Sequence, residues 1–256
     1  IRAHPNGLIF ILQLLTINKI KMKKILSIIL LLLSINSYSQ VGYWTAYNFH
    51  VEEGSEELVL KYFNEYFSNN KLAEGVTVSL FENHFKDSGW NFSHQILFVG
   101  PLDGLATQYS TAPSDAWSLF ILKMNRHITL HSSFMGDIDI SYGNGATKDF
   151  PIQRVYSLEA NDPAKYLQAF KKYNSKYNKA DRLILTGGFS AGIDRTYGNT
   201  WIVQSFKDFK GAFGGHAKLP SKYSPEEHRK AWMESRKNNG GVELRRSFLR
   251  ILLATY

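Results

Sequence analysis

The sequence predicts an α+β fold made of two β-α-β-β-α-β units in tandem. An internal repeat, strand-like alternation and helix caps at matching places carry that prediction. A shift of 107 residues lays Phe49 to Tyr66 over Tyr156 to Tyr173 without a gap. Glu52 then falls on Glu159, Leu60 on Leu167, Phe63 on Phe170 and Tyr66 on Tyr173. A shared spacing of strand, turn and helix positions implies two similar supersecondary units, each with an apolar face to bury.

The first unit opens on Tyr43 to Val51, where Thr45, Tyr47, Phe49 and Val51 alternate with Ala46, Asn48 and His50 at the period of a strand. Gly54-Ser55-Glu56-Glu57 supplies a cap residue and two acids for a helix start, and Val59, Phe63, Tyr66 and Phe67 form its buried stripe. Val76 to Phe81 alternates as a second strand, and Trp90 to Val99 is a third after the turn signal Asp87-Ser88-Gly89. Trp117, Phe120, Ile121, Met124 and Ile128 mark a second helix, and Phe134 to Tyr142 a fourth strand.

The second unit repeats this order. Arg154 to Leu158 is its first strand, and Asp162-Pro163 caps a helix with the stripe Tyr166, Leu167, Phe170 and Tyr173. Leu183 to Thr186 and Thr200 to Phe206 are hairpin strands. Ser224-Pro225-Glu226-Glu227 is a capping box opening a helix through Trp232, and Phe248 to Tyr256 is the last strand, within Val242 to Tyr256.

The chain ends set these limits. Met22-Lys23-Lys24 followed by Ile25 to Ile35 has the layout of a secretory signal peptide, with Ser37 and Ser39 as the small residues before cleavage and Gln40 as the first mature residue. The apolar run is about half of the roughly 20 residues that cross a bilayer, so stable membrane insertion after processing is not expected. Residues 1–21 precede that methionine and read as a non-native leader, which leaves 22–39 as signal, 40–150 as unit 1 and 151–256 as unit 2. The expected location is periplasmic or secreted.

Processing removes five basic residues and no acid, so a formal charge of +8 falls to +3, poor grounds for a nucleic-acid partner. Residues 40–150 carry 6 basic and 13 acidic residues, and 151–256 carry 19 and 9. Opposite signs favour docking of the halves within one chain or head to tail in a homo-oligomer; two unrelated solvated surfaces are the alternative. With no cysteine there is no disulfide framework, thiolate nucleophile or lipidated cysteine.

The duplicated element order resembles the dimeric α/β-barrel superfamily, which includes antibiotic-biosynthesis-monooxygenase-like and chlorite-dismutase-like proteins. The resemblance spans nearly the whole mature chain and rests on element order and repeat spacing. It implies two ferredoxin-like units packed sheet to sheet as an α/β-barrel around a cavity, here from one chain. It also implies cofactor-free oxidation, as in some relatives, with haem chemistry of the chlorite-dismutase type as the alternative. A non-catalytic interaction module is the third class.

Strand alternation assigns the candidate site. If helices cover one face of each sheet, Asn48, His50, Thr77, Ser79, Asp137 and Asp139 point the other way in unit 1, and Ser157, Thr186, Gln204 and Arg250 in unit 2, together with Phe81. So many donors and acceptors suit a wet pocket for a small organic molecule or a solvent-exposed sheet face. Within the set His50 is the acid-base candidate, because an ordinary imidazole titrates near 6.5. Asp137 or Asp139 would orient it, and Arg250 would neutralise an anionic ligand or pair with a carboxylate.

No metal or other cofactor is expected. His127 and His131 stand four apart on the predicted second helix, but the intervening Ile128-Thr129-Leu130 lacks the zinc-protease glutamate and no third ligand is indicated. A haem ligand in unit 2 would have to be His216 or His228. His84 and His94 have no spacing that favours a site. Gly187-Gly188 and Gly214-Gly215 read as turns or bulges, since no phosphate-loop pattern follows them. A Gly-x-Ser-x-Gly elbow is absent, which disfavours that hydrolase class. Export and an acidic first unit argue against an RNA-binding role.

Overall fold

The computed structural model describes residues 42–256 apart from Trp90, Ala180, Arg195 and Leu219, and omits the side chains of 216–218. The expected leader and signal segments, the start of the third strand at Trp90 and the His216 side chain therefore lie outside the described residues.

The first half contains β1 (Gly42–Val51), α1 (Glu56–Asn69), β2 (Thr77–Lys86), β3 (His94–Gly100), α2 (Leu102–Ser110), α3 (Asp115–Met124), β4 (Ile128–Ile138) and β5 (Ile140–Tyr142). The second contains β6 (Ile152–Ala160), α4 (Pro163–Tyr177), β7 (Arg182–Ala191), β8 (Thr200–Phe206), α5 (Phe209–Lys218), α6 (Pro225–Lys237) and β9 (Val242–Thr255). Two helices exceed the sequence expectation, α2 and α5. The expected second helix stops at Met124 and not at Ile128, so His127 falls in a turn and His131 in β4. The two imidazoles therefore share no helix face.

Strand order is β4-β1-β3-β2 in the first half and β9-β6-β8-β7 in the second, the same arrangement twice. Antiparallel pairing of β2 with β9 joins the halves on one side, and β4 with β7 closes the circle on the other. The sheets thus face each other and are also bonded edge to edge, which removes the open edges a lone sheet would expose.

Glycine makes the second seam. A Cβ on Gly136 would run into the Gly188 carbonyl oxygen, and one on Gly187 into the Asp137 carbonyl. The pair expected as a turn or bulge is part of β7, where it permits the close approach of β4. Gly215, at φ +58°, kinks α5.

Sequence capping signals act as written in the second half. Asp162 accepts from the Lys165 N–H at 3.1 Å, and Ser224 and Glu227 form a reciprocal capping box. Ser55 behaves differently: its hydroxyl meets His127 Nδ1 at 3.1 Å and leaves the α1 N-terminus without a side-chain cap.

Candidate functional site

The barrel lumen is mainly apolar. Trp44, Ala46, Phe92, Phe134, Ile138, Tyr197, Trp201 and Phe248 form one buried cluster, with Leu97, Val155, Leu185 and Val203 packed against it. Trp44 stands edge-on to both Trp201 and Phe189, at 5.7 and 5.8 Å between ring centres. A hydrophilic lining was expected, yet these aromatics fill the space between the sheets.

Polar groups gather in one part of the lumen around Arg250. Its Nε donates to Gln153 Oε1 at 2.8 Å, its Nη1 to Gln95 Oε1, and its guanidinium lies 4.0 Å from the Phe81 ring centre. Gln95 Nε2 donates to Asn48 Oδ1 at 2.6 Å, and Asn48 Nδ2 to Ser132 Oγ at 3.1 Å. Burial lowers the Arg250 pKa to about 9, and no carboxylate pairs with it among the described residues. The network satisfies a buried charge with neutral amides, which links β1, β3, β6 and β9.

Asn48, Ser79, Phe81, Ser157 and Arg250 lie on the lumen face as the alternation predicts, and Thr77 lies on it at an exposed end. Ser79 Oγ pairs with Thr255 Oγ1 at 2.9 Å, and the Ser157 hydroxyl donates to the Tyr197 carbonyl. His50 is exposed and opposite Thr129, whereas Asp137 is opposite Tyr43, seven residues away along β1. That is roughly 24 Å at the rise of an extended strand. The His50–Asp137 or His50–Asp139 pair does not form.

Four further residues belong on the other face. Asp137 shares the face of Tyr43 and accepts from the Gly188 N–H at 2.6 Å. Asp139 is held above the ordinary carboxylate range by burial and then by Asp137. Thr186 accepts from Tyr166 at 2.6 Å, since its own hydroxyl donates to the Trp201 carbonyl at 2.6 Å. Gln204 pairs with Ile184 under the helices of the second half. The apolar alternates Phe134, Gly136 and Ile138 face the lumen, which reverses the expected parity of this strand.

The large cavity lies on that helix-covered face. About 940 Å³ of half-open space lies between β6, β7, β8 and β9 on one side and α4 and α6 on the other. Tyr156, Leu158, Ile184 and Ile202 form its floor; Tyr166, Phe170, Tyr173 and Trp232 form its wall. Of the residues picked from sequence as ligand contacts, only Gln204 lines it.

The repeat shows where the second half departs from the packing of the first. Under α1, Phe63 and Phe67 pack at 4.7 Å between ring centres, and Phe67 also meets Phe98, Phe120 and Tyr256. The position of Phe67 in the repeat is taken by Asn174. Asn174 is buried and directs its Oδ1 to Arg182 Nη2 at 3.1 Å. Replacing a ring by an amide removes filling and imports a charge.

The cavity is also electrically one-sided. Arg154, Lys179, Arg182, Arg229 and Arg236 line it, and none of the described lining residues is acidic. Burial lowers the Arg182 pKa to about 10, and it lowers those of Lys179 and His228. Among the described residues no three His, Cys, Asp or Glu side chains group to hold a metal. No helix among them is long and apolar enough to cross a membrane.

No protein-family model and no curated protein matches the sequence. Solved structures do match. A candidate monooxygenase from Fusobacterium nucleatum superposes with a TM-score of 0.55 at 13% identity, over 85% of this chain and 94% of the other. A second candidate monooxygenase, from Lactobacillus acidophilus, gives 0.54 at 12% identity, over 83% and 99%. This is the dimeric α/β-barrel fold. A variant of chlorite dismutase from Candidatus Nitrospira defluvii shows the same barrel with a TM-score of 0.50 at 9% identity, over 84% and 92%. At such identities the α/β-barrel likeness establishes architecture and leaves activity to the chain's own residues.

Proposed function

We propose that this is an exported α/β-barrel protein that binds a small organic molecule in the cavity of its second half. The single observation that carries the reading is the aromatic-walled space of about 940 Å³ between the sheet and helices α4 and α6. That size accommodates a drug-sized or polyaromatic ligand, and mostly apolar walls with a few polar groups are the usual make-up of such sites. The lumen is a poorer host because Trp44, Trp201 and Phe134 occupy it. Cofactor-free oxidation of the bound molecule is the activity that the monooxygenase-like fold suggests, and it would take place in this cavity.

A haem fits the wall poorly. His228 is the cavity's histidine; its Nε2 is engaged by Ser221 Oγ at 2.6 Å, and the rings of Tyr177 and Tyr223 lie 5.2 and 5.9 Å away. That imidazole is built into an aromatic corner, so no step is assigned to haem iron.

Native mass spectrometry of the purified protein tests the reading. A retained organic ligand, displaced by replacing Ile202 with Trp to fill the floor, is the expected result. A ligand retained equally by Ile202→Trp would move the site elsewhere, and a Soret band after growth with iron would restore the haem alternative.

A further inference from the structure

Arg182 is where the cavity departs furthest from ordinary helix-on-sheet packing. It is 2% exposed, yet its neighbours are amides. Nε donates to Asn178 Oδ1 at 3.0 Å, and Nη2 to Asn178 Oδ1 and Asn174 Oδ1 at 2.8 and 3.1 Å. Nη1 has no hydrogen-bond partner among the described residues. The carboxylate next in sequence, Asp181, is engaged by Lys207 Nζ at 2.5 Å.

Lys179, 5% exposed, lies in the same turn, where the Arg182 N–H donates to the Lys179 carbonyl at 3.2 Å. Arg182 follows the C-terminus of α4, whose partial negative charge of about half a unit offsets part of its charge at most. Its Nη1 is left open beside a cavity with no acid among the described lining residues, a place where an anion would complete the hydrogen bonding of a buried charge.

Resting on the cavity reading above, we infer that Arg182 forms a carboxylate-binding pole and that the ligand is a flat organic acid. Its acid group sits at Arg182, and its ring body lies against Tyr166, Phe170 and Trp232. With Nε and Nη2 held by the asparagines, the Nη1 N–H groups are the donors left for a carboxylate, so the fixed plane of the Arg182 guanidinium sets where the bound acid group sits. Asn174 and Asn178 hold that fork in place as positioning residues.

Isothermal titration of the full protein with 2-naphthoate and with its neutral isostere 2-naphthamide tests this. The acid is expected to bind at least tenfold more tightly than the amide, and Arg182→Gln to remove that preference by weakening the acid at least tenfold while the amide changes less than twofold. Equal binding of acid and amide, or acid binding unaffected by Arg182→Gln, would overturn the pole and leave the cavity reading standing. Binding of neither probe would overturn both. The comparison on the unaltered protein holds even where Arg182→Gln lowers stability through loss of its contacts with Asn174 and Asn178.

Discussion

Replacing Gly136 with Ala is expected to strain the seam that closes the barrel. The added methyl would collide with the Gly188 carbonyl oxygen and lie 2.7 and 2.9 Å from two atoms of the Trp44 indole. Neither neighbour can yield cheaply. The Gly188 carbonyl accepts from Trp201 Nε1 at 3.0 Å, and Trp44 is wedged between Trp201 and Phe189. Overpacking a tight site costs about 1–3 kcal/mol, and rigid partners on both sides place this one near ~3 kcal/mol. For a domain of this size that corresponds to a fall in Tm on the order of 6–12 °C. Met135→Ala, one residue along the strand at an exposed side chain, is the control and should stay within about 0.5 kcal/mol. Thermal melts followed by circular dichroism give the magnitude. Hydrogen exchange gives the place, because the Gly188 N–H bonded to Asp137 and the Asp139 N–H bonded to Thr186 should lose protection first. A Gly136→Ala protein that melts with the parent would refute close packing of β4 on β7.

Other outcomes follow from single residues. Burial holds the His94 pKa below its ordinary value, so the unfolded chain takes up the proton first as the solution is acidified. The corresponding stability is full above the unfolded pKa near 6.5 and is lost as pH falls below it; a His94→Gln protein should show a flatter stability profile between pH 7 and 5 in denaturant titrations. Ser224→Ala removes the hydroxyl that accepts from the Glu227 N–H in the α6 capping box and is expected to cost about 1 kcal/mol, read as an earlier thermal transition. Edman sequencing of the protein recovered outside the cytoplasm should begin at Gln40; a start at any residue before Met22 would overturn the assignment of 22–39 as a cleaved signal.

Much of the architecture was legible because local signals agreed with one another. Thr200 to Phe206 is a strand with the expected bounds, and the Asp162 and Ser224 caps start helices where their sequences say they should. The 107-residue repeat was readable because the same aromatic stripe serves both helices, Phe63 in α1 and Phe170 in α4, each buried on its sheet. The facing of several polar residues was not legible. In a closed barrel both faces of a strand meet protein, so an apolar set such as Phe134, Gly136 and Ile138 can point inward as well as toward helices. The register shift where Asn48 and Phe49 of β1 meet Ser132 and Leu130 of β4 further breaks the parity count.

The cavity escaped the sequence reading for a different reason. Tyr156, Leu158, Ile184 and Ile202 look like ordinary core under a helix, and alternation cannot reveal whether anything fills the space above them. A signal was present one residue beyond the gapless match, where Phe67 in the first half faces Asn174 in the second. An amide in a stripe of rings, followed eight residues later by an arginine, marks a place where packing gives way to polarity.

A crystal structure of the protein soaked with 2-naphthoate tests the location of the site most directly. The ring system should lie between α4, α6 and the outer face of β6, β7 and β8, with the carboxylate at Arg182. Density for the acid inside the barrel beside Arg250, with the space under α4 and α6 left to solvent, would contradict the assignment.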